Sequence, residues 1–263
     1  MIRSAESLPA PTLVAPHGFF TRRGGVSTGP FASLNCSLSG TDDRAAVLEN
    51  RARAAAAIGA APTALVGLTQ VHGAAVVRVE TGWAPGEGPR ADAMVTDRPG
   101  VALGIVTADC APVLFAAADG RVVGAAHAGW RGALAGVLEA TLAAMRALGP
   151  AAGPIRAAVG PCIGPDSYEV AADLRDAVLA RNPDDARFFG PGRRPERWQF
   201  DLPGYCAARL AAAGAVVEVL GADTLADPER FFSHRRRTLA AASGGPGGGP
   251  IGHQISIIAP AAP

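Results

Sequence analysis

The chain has 263 residues, of which 49% are hydrophobic and 18% charged, with a formal net charge of +1. That balance favours a folded core and excludes the strong basic excess of a protein that grips nucleic-acid backbones. All 24 basic residues are arginine, which excludes lysine Schiff bases, pyridoxal-phosphate lysines and P-loop lysines and leaves any anionic substrate group to arginine, backbone amides or a metal.

Residues 1–16 are polar and Pro-rich and lack the apolar stretch of a secretory signal. Residues 1–15 are expected to be loosely ordered. No uncharged apolar run reaches spanning length, so a cytoplasmic protein without membrane association is expected. Residues 17–40 are Gly/Ser-rich and weakly patterned. Acidic residues near the start and Gly59 just past the end predict a helix over 43–58. Strand-like runs at 64–68 and 75–79 flank Gln70-Val71-His72-Gly73, and short apolar runs at 93–96, 101–107, 112–116 and 122–126 read as buried strands.

The spacing of Leu134, Val137, Leu138, Leu142 and Met145 predicts one helix over 132–148, stopped by Gly149-Pro150. A strand over 155–159, helices near 171–181 and 202–213, and strands over 216–220 and 255–258 complete the order. Several neighbouring strands lack a crossover helix, which points to mixed sheets within one domain spanning 1–263. A formal G-x-G-x-x-G at Gly247, Gly249 and Gly252 is followed by a strand rather than a helix. A dinucleotide site is therefore rejected, and a flexible loop over 237–252 is expected.

Three segments place reactive side chains at strand ends: Gln70-Val71-His72-Gly73, Asp109-Cys110-Ala111-Pro112 and His127-Ala128-Gly129-Trp130-Arg131. Two imidazoles and a thiolate suit zinc, and three protein ligands leave a fourth position open, as in catalytic sites. The plainer alternative is two ordinary polar histidines and a buried cysteine. A second chemical alternative makes Cys110 a nucleophile activated by His127, with Asp109 tuning the pair; that dyad has no need of His72. The four cysteines Cys36, Cys110, Cys162 and Cys206 lie far apart and read as free thiols or metal ligands. Arg22, Arg23 and Gly24-Gly25 suit a phosphate or a plain solvated turn. The Phe231-Phe232-Ser233-His234-Arg235-Arg236 segment offers stacking and cations, or a short amphipathic turn over the core.

Taken together, these segments resemble the YfiH family, also called the polyphenol-oxidase or laccase-domain family and the peptidoglycan editing factor family. The resemblance rests on His-Gly-Phe-Phe-Thr-Arg-Arg-Gly-Gly-Val-Ser from His17, Ser33-Leu34-Asn35, Gln-Val-His-Gly around His72, and Ala-Asp-Cys-Ala-Pro-Val-Leu from Ala108. It continues through His-Ala-Gly-Trp-Arg-Gly from His127, Gly-Pro-Cys-Ile-Gly from Gly160, Tyr168-Glu169-Val170 and Asp-Pro-Glu-Arg-Phe-Phe-Ser-His-Arg-Arg from Asp227. It implies an α/β (α+β) fold, a layered α/β/β/α sandwich with mixed sheets and a YfiH-like cysteine hydrolase fold. It implies zinc on His72, Cys110 and His127, with copper as a possible occupant in vitro.

The activity implied is phosphorolysis of adenosine, inosine, guanosine and methylthioadenosine, together with adenosine deamination. The expected partners are a nucleoside and phosphate, in a monomer or small homo-oligomer. On this reading Cys110, His127 and Asp109 are catalytic, with Glu169 the second acid/base candidate, and Arg22, Arg23, Asn35, Gln70, Arg131 and Tyr168 bind substrate. An amidohydrolase acting on peptidoglycan precursors and a non-catalytic regulator with a relict site are the alternatives. The chain departs from the family pattern at Ala222-Asp223-Thr224, over 237–252, and at His253-Gln254, where an Arg-Gln is common. Five histidines without a His-x-His pair are too few for a multicopper oxidase cluster in one subunit.

Overall fold

The computed structural model describes residues 4–149, 153–242 and 248–262. In chain order these form β1 (Ser7–Leu8), β2 (His17–Phe20), α1 (Arg44–Ala57), β3 (Leu65–Val66), β4 (Val76–Arg78), β5 (Ala93–Thr96), β6 (Ala102–Thr107), β7 (Ala111–Ala116) and β8 (Val123–Ala128). There follow α2 (Trp130–Ala135), α3 (Val137–Ala147), β9 (Arg156–Val159), β10 (Glu169–Val170), α4 (Ala172–Arg181), β11 (Phe189–Pro191), β12 (Trp198–Phe200), α5 (Leu202–Ala212), β13 (Val216–Val219), α6 (His234–Ala242) and β14 (Gln254–Ile258).

Two large mixed sheets pack face to face. One runs β1-β2-β14-β6-β3 and the other β13-β9-β7-β8-β5-β4. The pairs β3–β6, β4–β5 and β9–β13 are parallel and the remaining pairs antiparallel. The period of two along each strand sends alternate residues to opposite layers. Leu103 and Ile105 of β6 meet Leu114 and Ala116 of β7 between the sheets. On the outer face of the first sheet, Ile255 and Ile257 pack against Ala54 and Ala55 of α1. On the outer face of the second, Val113 and Phe115 pack against Leu138, Leu142 and Met145 of α3 and Tyr205 and Leu210 of α5. The order is therefore helix, sheet, sheet, helix, with the interior strands apolar on both sides as doubly covered strands must be.

Most of the expected elements form within a residue or two of their expected ends, and the departures have local causes. The helix expected over 132–148 is two helices, because Gly136 sits at φ 96 and turns the chain left-handed between them. The amino-terminal segment is held from Ser7 onward by β1–β2 pairing, with Ala10, Leu13 and Ala15 buried, whereas loose order was expected over 1–15; residues 1–3 lie outside the described residues. The loop expected over 237–252 is helical at its start, since α6 runs through Ala242. Residues 243–247, and with them Gly247 of the glycine motif, lie outside the described residues. The small sheet β10-β12-β11 was not expected. Its strands are only two or three residues long, too short to show a period.

Candidate metal centre

The three expected donors converge. His72, Cys110 and His127 each place a ligand atom within 4.8 Å of the others, forming the metal-compatible group of three or more such residues found among the described residues. Antiparallel pairing supplies two of them: β7 and β8 place Ala111 opposite Ala128 and Pro112 opposite His127, so Cys110 sits at the mouth of the strand pair beside His127. The third, His72, lies on the loop between β3 and β4, and its ring stands edge-on to that of His127 at 4.7 Å between centroids.

What unites these segments is Asp92, on the residue before β5 and fully buried. Its Oδ1 accepts from His127 Nδ1 at 2.8 Å and from the His72 amide at 2.8 Å, and its Oδ2 accepts from the Gly73 amide at 2.6 Å. The Val71 amide reaches both oxygens at 3.2 Å. The main chain adds a further link, His127 N donating to Asp92 O at 2.7 Å. Three successive amides on one carboxylate hold His72 at φ 61, a left-handed conformation that costs a histidine energy and has to be imposed by its surroundings. The carboxylate also fixes the His127 tautomer, leaving Nε2 as the free donor.

Electrostatics follow this geometry. Burial raises the Cys110 thiol, but the charge and hydrogen bonds of His127 and His72 outweigh it and bring the thiol down to about 6. Burial lowers His127, and the Cys110 charge with the Asp92 hydrogen bond outweighs that in turn, raising it to about 9. Asp92 is opposed by its own burial and held below the usual carboxylate range by His127 and the amides. A Cβ on Gly129 would lie 2.9 Å from Cys110 Sγ and 3.3 Å from His72 Cδ2, so only glycine leaves the sulfur its place. Soft sulfur, two imidazoles and a carboxylate behind one of them match the donor set of a zinc centre.

The centre opens on a cavity of about 630 Å3 whose wall includes Gln70, Asp109, Arg131, Tyr168 and Arg235. Arg131 lies over the Trp130 ring at 4.4 Å and has no ion pair among the described residues. Gln70 faces the cavity with its amide paired to the Val106 backbone, donating at 2.9 Å and accepting at 3.1 Å. Tyr168 packs under the Arg235 guanidinium at 5.2 Å, and burial pushes its phenol up.

Other expected site residues lie elsewhere. Arg22 donates to Ala32 O and Pro228 O and stacks on Phe232, while Arg23 donates to Glu229 O and pairs with Glu6. Neither lines the cavity, because both side chains tie the Gly-rich segment to the 228–232 turn. Asn35 is fully buried beside Asp42 and the His253 amide, bracing the segment behind the wall. The second acid/base candidate, Glu169, is also outside the cavity wall; its carboxylate is taken by Arg194 and the amides of Arg193 and Arg194, which hold it below the usual range after its own desolvation is overcome. Asp109 does line the cavity, at φ 89, but Oδ1 accepts from Thr224 Oγ1 at 2.7 Å and Oδ2 from the Arg235 amide at 2.6 Å. Its carboxylate thus anchors the start of α6.

The sequence profile described as multi-copper polyphenol oxidoreductase laccase matches residues 16–259. The chain therefore belongs to that family, the one that includes YfiH. It is 42% identical over 217 residues to a protein of Pseudomonas aeruginosa named purine nucleoside phosphorylase, covering 82% of this chain and 86% of that one. It is 42% identical over 221 residues to the Escherichia coli purine nucleoside phosphorylase YfiH, with 82% and 86% covered. Among solved structures it is similar to YlmD of Geobacillus stearothermophilus, with TM-score 0.85, 32% identity and 100% and 98% of the chains covered. It is also similar to a Neisseria meningitidis protein of family DUF152, with TM-score 0.83, 33% identity and 99% and 100% covered. The family description speaks of several coppers; the described residues assemble one such three-donor group.

Proposed function

We propose that this protein is a zinc-dependent purine nucleoside phosphorylase acting on adenosine, inosine, guanosine and methylthioadenosine, and that the same cavity deaminates adenosine. The observation that carries this reading is the His72–Cys110–His127 centre on the wall of a cavity that also holds Arg131, an arginine with no ion pair among the described residues. The names of the relatives at 42% identity support it. Zinc, when bound, supplies a Lewis acid at that wall.

The chain's own residues do the rest. Asp92 keeps His127 in one tautomer and His72 in its strained turn, so the donors are set before any ion arrives. Arg131 gives the cavity a cation to hold an anionic oxygen, and Tyr168 supplies a flat wall for a base. In phosphorolysis an oxygen of hydrogen phosphate bonds to the sugar carbon as its bond to the base nitrogen breaks. That electron pair leaves with the base, and the phosphate's proton ends on it, giving the free base and a sugar 1-phosphate. Asp109 and Glu169 both have their carboxylates engaged, so this proton balance asks nothing of either.

The test is to supply metal-analysed protein with inosine and inorganic phosphate and to separate the products. Hypoxanthine and ribose 1-phosphate in equal amounts are expected, lost on chelation and restored by zinc; no base release with zinc loaded would end the reading. Adenosine without phosphate tests the deaminase activity, and inosine is the expected product.

A second reading has its own support: in Cys110, His127 and Asp92 a thiol, its base and an orienting carboxylate stand in series, the arrangement of a Cys–His amidohydrolase acting on peptidoglycan precursors or another amide. His72→Ala separates the two, since it should abolish a zinc enzyme and largely spare a thiol dyad.

A further inference from the structure

A second cavity, of about 340 Å3, opens beside the one at the metal centre. Trp130, Arg131, Tyr168 and Arg235 line both, so these four side chains form the partition between them. The partition starts at the metal centre itself. Gly129 packs so closely on Cys110 that a Cβ there would lie 2.9 Å from Sγ, and Trp130 and Arg131 follow it directly in the chain. A substrate seated at the metal centre therefore has this second alcove one side chain away.

The alcove is basic. Beyond the partition it is lined by Arg194 and Arg197 and by two carboxylates, Glu169 and Asp173. Glu169 is already neutralised: Arg194 Nε and Nη2 reach its Oε2 at 2.6 and 2.5 Å, and the amides of Arg193 and Arg194 take Oε1. That leaves Arg131, Arg197 and Arg235 facing Asp173, and none of the three makes an ion pair among the described residues. Arg131 rests on the Trp130 ring at 4.4 Å. Arg235 lies over the Tyr168 ring at 5.2 Å and its guanidinium gives one hydrogen bond, Nη1 to Glu169 O at 2.7 Å. Arg197 is engaged through its backbone carbonyl, which accepts from Gly192 N at 3.0 Å, and its side chain has no hydrogen bond among the described residues. A stacked guanidinium keeps most of its N–H fork free for an anion. The cations also share neighbours. Burial pushes the Tyr168 phenol up, and both Arg235 and Arg131 oppose that rise, while Arg194 and Arg235 both bond Glu169.

We infer that this alcove holds a phosphate ester on the 5′ carbon of the substrate, so that the site takes purine nucleoside 5′-monophosphates and binds them more tightly than the free nucleosides. The inference rests on the nucleoside phosphorylase reading. Under that reading the reacting sugar carbon stays beside the metal centre, and the 5′ carbon, at the other end of the sugar, carries the group that can cross the partition. Three guanidiniums without carboxylate partners do little for a hydroxyl but match phosphate oxygens. The balance of the reaction is unchanged. An oxygen of hydrogen phosphate bonds to the sugar carbon, the bond to the base nitrogen breaks, and the base leaves with that electron pair and the phosphate's proton. The second product is then ribose 1,5-bisphosphate.

The experiment titrates zinc-loaded wild-type protein with AMP and with adenosine by calorimetry, and measures adenine release from each in the presence of inorganic phosphate. Hydrogen bonds to a charged group are worth roughly 10–100-fold in binding, so AMP is expected to bind at least about 10-fold more tightly than adenosine. Arg197, which lines the alcove and not the metal cavity, is the residue to change. Arg197→Met is expected to weaken AMP by about 10-fold and leave adenosine within about 3-fold, and Arg197→Lys, which keeps the charge, to recover part of the loss. AMP bound no more tightly than adenosine, or an Arg197→Met variant that leaves AMP unchanged or weakens both equally, would overturn the inference, and adenine released from adenosine in that case would leave the phosphorylase reading standing. Tighter AMP binding that depends on Arg197, in a protein that releases no base from either compound, would sustain the alcove and sink the phosphorylase reading.

Discussion

Asp92 Oδ1 lies 2.8 Å from Nδ1 of His127, and the same carboxylate accepts the amides of Val71, His72 and Gly73. One buried acid therefore sets the ring of one proposed ligand and the backbone of another, from segments 20 and 35 residues away. Outer-shell partners of this kind tune metal affinity by 10–100-fold. Asp92→Asn should weaken zinc binding by about that factor, measured by competition with a chromophoric chelator, because an amide cannot accept all of these donors. Unchanged affinity would mean that the three donors hold their geometry without it.

The thiol gives a second handle, in metal-free protein. Cys110 is brought down to about 6 and His127 raised to about 9, so between these limits the pair stands as thiolate and imidazolium. Alkylation by iodoacetamide should follow the thiolate, rising with pH through a midpoint near 6, and His127→Ala should move that midpoint upward. The same window sets the sign for metal. An ion must displace the proton on His127, so binding below about 9 should release protons and strengthen as pH rises towards that value. Proton release measured in weakly buffered solution checks it.

Gly129 offers a steric test. A methyl group there would stand 2.9 Å from Cys110 Sγ, where a sulfur needs more room. Gly129→Ala should displace the sulfur, lower zinc affinity and reduce activity by at least about 10-fold, at a stability cost of about 1–3 kcal/mol. Chelator competition and thermal unfolding separate the two effects.

The arginines divide by position. Arg22→Ala removes two hydrogen bonds to carbonyls and a ring contact with Phe232, so it should cost about 1–3 kcal/mol in denaturant unfolding while leaving KM within about 2-fold. Arg131→Ala should do the reverse, raising KM with little change in unfolding, since among the described residues its guanidinium rests on the Trp130 ring and makes no ion pair.

These outcomes also mark what could be read from the chain. The convergent trio His72, Cys110 and His127 was legible because each sits in a compact segment with small neighbours, and strands β5 to β8 because their apolar runs are short and bounded by turns. Asp92 was not, since a single carboxylate between Ala91 and Ala93 looks like a turn residue until the fold brings His127 and the 71–73 amides around it. Arg22 and Arg23 misled because glycine beside arginine suits an anion, whereas here nearby carbonyls take both side chains. The split at Gly136 was masked by an apolar stripe that continues across the break.

The central claim is that one divalent ion is held jointly by His72, Cys110 and His127. Metal content by mass spectrometry, on zinc-saturated and desalted wild type beside Cys110→Ala, tests it most directly. One zinc per wild-type chain and essentially none in the variant is the predicted result; equal zinc in both, or none in either, would contradict it.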